Sequence, residues 1–151
     1  MPTKVYLVGP MGAGKSTVAR GLAAQLGTEL LDLDEWIVRQ AGMSVPEIFA
    51  AEGEAGFRDR EEAALAEVAS AKEALVVATG GGAVLREANR RRMTESGTVV
   101  YLSADVDTLL ARAGGDPERP LLQVPDPRAR LAELQAERDP LYRRAHLTVD
   151  T

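Results

Sequence analysis

The sequence predicts an α/β domain with a parallel β-sheet that helices cover on both faces. Short apolar runs alternate along the chain with segments of helical spacing, which is typical of strands joined by right-handed helical crossovers. The chain has 151 residues, 45% of them hydrophobic and 27% charged, as in ordinary globular proteins. We therefore expect a single domain over residues 1–151.

Five runs are predicted as strands because they are short, largely apolar and bounded by turn residues. The third is fully apolar, as expected for a strand buried on both faces, and the last alternates between polar and apolar residues. They lie at residues 5–8, 30–34, 75–79, 99–103 and 146–150.

Seven segments have the apolar spacing or composition of helices. Ser44 and Glu47 form the pattern of a capping box, and Gly53 is expected to end the helix that this box starts. Gly97 is expected to cap another helix, and Pro140 interrupts the last. The predicted helices cover residues 18–26, 35–41, 45–52, 54–70, 86–96, 105–113 and 126–145.

Composition excludes several classes of protein. The net charge of −5 argues against a general nucleic-acid binder, which needs a basic face. The chain has no cysteine, no apolar stretch long enough to span a bilayer, and a first strand too close to Met1 for a signal peptide. We expect a cytoplasmic monomer that binds small molecules and has neither nucleic-acid nor membrane partners.

Residues 9–17 form the motif that organises the chain. They match G-x-x-x-x-G-K-[ST] between a predicted strand and a predicted helix, the context that a phosphate-binding P-loop requires. Loop N–H groups and the helix N-terminus attract phosphate, Lys15 can reach the β- and γ-phosphates, and the Ser16 hydroxyl can ligate Mg²⁺. The motif predicts that the chain binds a nucleoside triphosphate.

Two further strand ends are expected beside the P-loop, since ligands of parallel sheets bind at the carboxyl ends of strands. Asp32 and Asp34 would point to one face of a strand. Asp32 would then lie near Mg²⁺ and Asp34 near an acceptor alcohol, unless both carboxylates only end a strand and cap a helix. Gly80–Gly82 indicates either a left-handed turn or a ligand lying on the backbone.

The arginines allow both functional and structural interpretations. Arg58 could be oriented by the neighbouring carboxylate of Glu61 or Glu62 to clamp a substrate anion, or it could form only a solvated helix pair with one of them. Arg119 lies in a glycine- and proline-rich loop, and we expect a mobile lid around residues 114–124 that excludes water and brings positive charge to the phosphoryl group. Arg112 could stack on adenine or lie on the surface.

The sequence resembles the shikimate kinase family in several segments, which occur in the family's order and at similar spacing. The P-loop alone is shared by many kinases, but its combination with the other segments is specific. The matching segments are residues 9–17, 32–34, 53–58, 79–82, 119–122 and 138–142.

The resemblance implies a three-layer αβα P-loop kinase fold with strand order 2-3-1-4-5, and transfer of the ATP γ-phosphate to the 3-hydroxyl of shikimate. It implies that Ser16 and Asp32 hold Mg²⁺ and that Asp34 contacts the attacking hydroxyl. It also implies that Arg119 is the lid arginine and that Arg112 is a neighbour of adenine. The shikimate site would comprise Arg58 and Arg138, which pair with the carboxylate, and the backbone of Gly80, Gly81 and Gly82. The ATP phosphates would contact Gly12, Ala13, Gly14, Lys15 and Thr17.

The C-terminus of this sequence departs from the family pattern. Family members usually continue past the last strand into a nucleotide-base loop and a final helix, whereas this sequence ends at Thr151, so we expect the C-terminal helix to be absent.

A gluconate-type kinase is the alternative activity, because gluconate also carries a carboxylate. A non-enzymatic nucleotide switch is a weaker alternative, since the base-reading Asn-Lys-x-Asp motif of common GTPases is missing.

Overall fold

Five strands form one parallel sheet in a computed structural model that describes residues 4–113 and 125–151. The strands are β1 (Lys4–Val8), β2 (Glu29–Asp32), β3 (Leu75–Ala78), β4 (Gly97–Ser103) and β5 (Leu147–Asp150). Their order is β2-β3-β1-β4-β5 and all neighbours pair in parallel. The predicted sheet and its strand order are confirmed.

Six helices are described, and they cover both faces of the sheet. They are α1 (Lys15–Leu26), α2 (Leu33–Ala41), α3 (Val45–Ser70), α4 (Glu87–Ser96), α5 (Val106–Ala113) and α6 (Pro127–Tyr142). None of these helices is long and apolar enough to cross a lipid bilayer.

The alternation of side chains along β1 creates two cores. Tyr6 and Val8 face the core covered by α2, α3 and α4, whereas Leu7 faces the core covered by α1 and α5. Helix α6 reaches both cores, with Leu131 in the second and Tyr142 in the first. The end of α6 is therefore anchored in the first core.

Helix α3 contains the predicted boundary. Gly53 has φ 74° and ψ 179°, so the helix is two helical segments joined at a kink, as the sequence predicts. The capping box is also confirmed, since the Glu47 N–H donates to Ser44 Oγ (3.3 Å) and the Ser44 N–H donates to Glu47 Oε1 (2.9 Å). The kink separates the start of α3 from the segment that carries Arg58.

Gly97 caps α4 by donating its N–H to the Met93 carbonyl, but its backbone is extended (φ −174°) instead of left-handed. Glycine is needed there for a different reason, because a Cβ would overlap the Lys4 carbonyl on the neighbouring strand. His146 has a structural role, as its Nδ1 accepts the Val99 N–H at 2.9 Å.

Candidate active site

The P-loop lies between β1 and α1 and has the backbone that its glycines predict. Gly12 (φ 84°) and Gly14 (φ 93°) have positive φ values, and Gly14 is the N-cap of α1. The Lys15 ammonium donates to the carbonyls of Gly9 (2.5 Å) and Pro10 (3.0 Å), so this side chain lies across the loop. The loop therefore presents a cation and a helix N-terminus at one position.

Ala13 of the loop and Thr17 of α1 are two further predicted phosphate ligands. The Ala13 N–H donates to the Pro10 carbonyl (3.3 Å) and closes the loop. Thr17 is exposed in the first turn of α1, where backbone N–H groups have no partner within the helix. The loop and the first turn of α1 thus form one continuous surface, and phosphate binding on it stays a prediction.

Asp32 is the last residue of β2 and contacts both α2 and the P-loop. Its Oδ1 accepts the Glu35 N–H (3.1 Å) and caps α2, while its Oδ2 accepts the Ser16 hydroxyl (3.3 Å). The capping interpretation is therefore confirmed, and the Ser16 contact places this carboxylate beside the P-loop, while its role near Mg²⁺ stays a prediction. Within residues 4–113 and 125–151, no three acidic or histidine side chains cluster so as to hold a metal by themselves. Ser16 and Asp32 fit Mg²⁺, which binds few protein oxygens and completes its shell with phosphate and water.

Asp34 lies in the first turn of α2 and not in a strand. The prediction that Asp32 and Asp34 share one strand face is therefore wrong, because the chain turns into a helix at the fully buried Leu33. Both carboxylates nevertheless line one cleft of about 490 Å³. The same cleft is lined by Lys15, Ser16 and Gly80, so it joins the P-loop to the expected acceptor side.

Gly80–Gly82 has no positive φ, so the left-handed turn is ruled out. At the first and third of these glycines, a Cβ would instead come so close to neighbouring side chains that those side chains would have to shift. A Cβ on the first would lie 2.9 Å from Asp34 Oδ1 and 3.3 Å from Glu61 Oε2. A Cβ on the second would lie 3.5 Å from Arg138 Nη1, and one on the third would overlap the Arg58 guanidinium. The loop thus brings four charged side chains to one place.

Arg58 is buried and does not form the solvated helix pair that the sequence left open. Its Nη1 donates to Glu61 Oε1 at 3.0 Å and its Nη2 to Glu54 at 3.4 Å. Glu62, the other candidate partner, accepts a hydrogen bond from Arg86 (3.2 Å). The guanidinium is therefore held in a fixed position beside the glycine loop.

Glu61 lies beside the glycine loop, and the sequence had not distinguished it from Glu62 as the carboxylate that orients Arg58. Its side chain has no exposed area, and burial raises its pKa to about 7, opposed by Arg58 and reinforced by Asp34. A signal was present in the sequence. Glu61 follows Phe57 and precedes Leu65 by four residues each, which places it on the buried face of α3.

Arg138 is the arginine of α6 that reaches the site. It is 4% exposed, whereas Arg143 and Arg144 are exposed and Arg143 pairs with Asp139 at 2.8 Å. Spacing alone did not distinguish these three arginines. The helix face decides the question, because Arg138 points toward the second glycine of the loop.

Arg112 lies against the P-loop at the end of α5. Its Nη1 donates to the carbonyls of Gly12 (3.3 Å) and Ala13 (3.4 Å). Its predicted contact with adenine stays a prediction. Arg119 and the predicted lid at residues 114–124 lie outside the described residues.

Known proteins of one family are similar to this chain over almost its whole length. The family model described as "Shikimate kinase" matches residues 11–151. A shikimate kinase of Halorhodospira halophila is 54% identical over 99% of this chain and 85% of that protein. One of Thioalkalivibrio sulfidiphilus is 52% identical over 99% of this chain and 78% of that protein. The structure of the Acinetobacter baumannii shikimate kinase in complex with shikimate superposes with a TM-score of 0.97 at 51% identity, and covers 100% of this chain and 84% of that one.

Proposed function

The chain belongs to the shikimate kinase family, and we propose that it transfers the γ-phosphoryl group of ATP to the 3-hydroxyl of shikimate. One observation carries the proposal beyond the family match. The Gly80–Gly82 loop lies between the P-loop cleft and two buried arginines, Arg58 and Arg138. An acceptor on this loop would have an alcohol on the side of the phosphates and a carboxylate on the side of the arginines.

The ATP phosphates are assigned to the P-loop. The Lys15 ammonium and the loop N–H groups neutralise negative charge on the phosphates and orient the γ-phosphoryl group. Ser16 and Asp32 would hold Mg²⁺, which when bound supplies further positive charge to the phosphate oxygens. The phosphate ligands are Gly12, Ala13, Gly14, Lys15 and Thr17.

The acceptor is assigned to the other side of the cleft. Arg58 and Arg138 pair with the shikimate carboxylate, and Glu61 orients Arg58 through their 3.0 Å ion pair. Two guanidinium groups on one carboxylate hold the ring in a single direction on Gly80–Gly82. This arrangement supplies the positioning on which phosphoryl transfer depends.

Asp34 is assigned to the reacting hydroxyl. It lines the cleft with Lys15 and lies beside Gly80, between the phosphate and acceptor sides. The carboxylate accepts the hydrogen bond of the 3-hydroxyl and aims its oxygen at the γ-phosphorus. The new P–O bond forms as the bond to the β-phosphate oxygen breaks, ADP leaves, and the hydroxyl proton passes to the Asp34 carboxylate or to water.

The remaining assignments rest on the family resemblance. Arg119 would close over the phosphates with the segment 114–124, and Arg112 would lie near adenine, since it already contacts the P-loop carbonyls. A closed lid would keep water from replacing the alcohol as acceptor. The monomeric state and the cytoplasmic location stay predictions from the sequence.

The direct test follows ADP release with MgATP and one acceptor at a time. We expect turnover with shikimate and none above the ATP background with gluconate or adenosine. Gluconate-dependent turnover of similar efficiency would favour the gluconate-type kinase. An absence of acceptor-dependent turnover with shikimate would refute the proposed activity.

A further inference from the structure

A pair of buried tyrosines lies between the sheet and the glycine loop. Tyr101 of β4 and Tyr142 at the end of α6 stack with ring centroids 4.9 Å apart, and both are buried. The Tyr101 hydroxyl donates to Asp139 Oδ1 (2.8 Å) and accepts from Gln135 (2.8 Å), so its partners belong to α6. The Tyr142 hydroxyl donates to the Gly81 carbonyl at 2.5 Å. Only one of the two stacked phenols therefore bonds to the site.

Gly81 is the point where three parts of the site meet. A Cβ there would lie 3.5 Å from Arg138 Nη1, 3.6 Å from the Met11 nitrogen and 3.8 Å from the Gly9 oxygen. Arg138 precedes Tyr142 by four residues in α6, so the two side chains lie on one helix face. The same helix turn thus supplies an arginine and a hydrogen-bond donor to one glycine.

The hydrogen bond also determines the direction of the next peptide group. The peptide bonds of the described residues are trans, so the Gly82 N–H points opposite to the Gly81 carbonyl. With the carbonyl held toward Tyr142, the loop cannot rotate this peptide without breaking that partly buried hydrogen bond. The orientation of the loop backbone is therefore set before a substrate arrives.

The protonation state of Tyr142 suits a hydrogen-bond donor. Burial raises the pKa of Tyr142 to about 12, although the positive charges of Arg138 and Arg58 oppose the rise. The hydroxyl consequently keeps its proton at neutral pH. Phenylalanine at this position would keep the ring stack with Tyr101 but would leave the Gly81 carbonyl without this donor.

We propose that Tyr142 is a positioning residue for the acceptor: its hydroxyl holds the Gly81 peptide in register with Arg138, so that backbone and guanidinium meet the shikimate carboxylate and ring together. This role rests on the proposed kinase activity and specifies how the acceptor is held. Tyr142 acts through the glycine loop and not by touching the reacting atoms.

The test compares Tyr142→Phe with Tyr101→Phe, a matched control. Each variant removes one buried hydroxyl from the same stacked pair. Tyr142→Phe should raise the KM for shikimate roughly fivefold to tenfold, the effect of one neutral hydrogen bond, with the KM for ATP changed less than about twofold. Tyr101→Phe should leave both KM values within about twofold of wild type. Hydrogen exchange of residues 79–85 should become faster in Tyr142→Phe alone.

A purely structural role would lower the melting temperature of both variants without changing the ratio of the two KM values. That result would overturn the positioning role. Equal effects of Tyr142→Phe on the KM values for shikimate and ATP would also overturn it. So would a Tyr142→Phe protein that fails to fold when Tyr101→Phe does fold. Wild-type turnover of shikimate with an unaffected Tyr142→Phe would overturn only this inference. A wild-type protein that does not phosphorylate shikimate would overturn the kinase proposal and this inference with it.

Discussion

Replacing Glu61 with glutamine tests the electrostatics of the acceptor side. The carboxylate is fully buried, 3.0 Å from Arg58 and close to Asp34 at the first glycine of the loop. Glutamine keeps the size of the side chain and an oxygen that can accept from Arg58, but it removes the titrating group. The variant therefore separates the charge of Glu61 from its shape.

The sign and size of the effect follow from the pKa of Glu61. Burial raises this pKa from 4.5 to about 7 in the folded chain. Between these values the folded state binds more protons than the unfolded state, so the free energy of unfolding falls as pH rises. Protonated Glu61 contributes about 3 kcal/mol to the free energy of unfolding. This contribution is complete below about pH 4.5 and is lost above about pH 7.

Urea unfolding at pH 5 and pH 8 measures this contribution. Other groups of the protein titrate as well, so the informative quantity is the difference in pH dependence between wild type and Glu61→Gln. We expect the wild-type unfolding free energy to fall by about 2–3 kcal/mol more than that of the variant over this interval. Glu52→Gln is the control, because Glu52 lies on the same helix in an ion pair with Arg60, and its hydrogen bond to Arg60 lowers its pKa. An identical pH dependence in wild type and Glu61→Gln would refute the reasoning.

Three other substitutions test the assigned roles. Arg58→Ala should raise the KM for shikimate roughly 10- to 100-fold, because charged hydrogen bonds are lost, and steady-state kinetics with an equal effect on the KM for ATP would contradict the carboxylate clamp. Asp34→Asn should lower kcat much more than it changes either KM, and an unchanged kcat would exclude its role at the hydroxyl. Gly82→Ala should displace the Arg58 guanidinium, destabilise the fold by about 1–3 kcal/mol in urea and weaken shikimate binding; wild-type stability and binding would show that the close approach is absent.

Features of the fold that depend on local spacing were predictable from the amino-acid sequence. The alternation of strands and helices, the P-loop, the capping box and the break at Gly53 all follow from the periodicity or backbone preference of neighbouring residues. The strand order came with the family resemblance and is confirmed. Local spacing was insufficient for Asp34, because Leu33 is drawn into the core and begins a helix where a strand was expected.

The assembly of the acceptor side depends on packing between segments that are far apart in the sequence. Arg138 became distinguishable from Arg143 when α6 was packed on the sheet, and Glu61 became a site residue when its helix face was buried against the glycine loop. Tyr142 reaches a glycine 61 residues earlier in the chain. Such contacts join distant segments, and their partners are chosen by the packing of whole helices and strands. Helical and strand periods show which face a residue occupies, but the fold decides what that face meets.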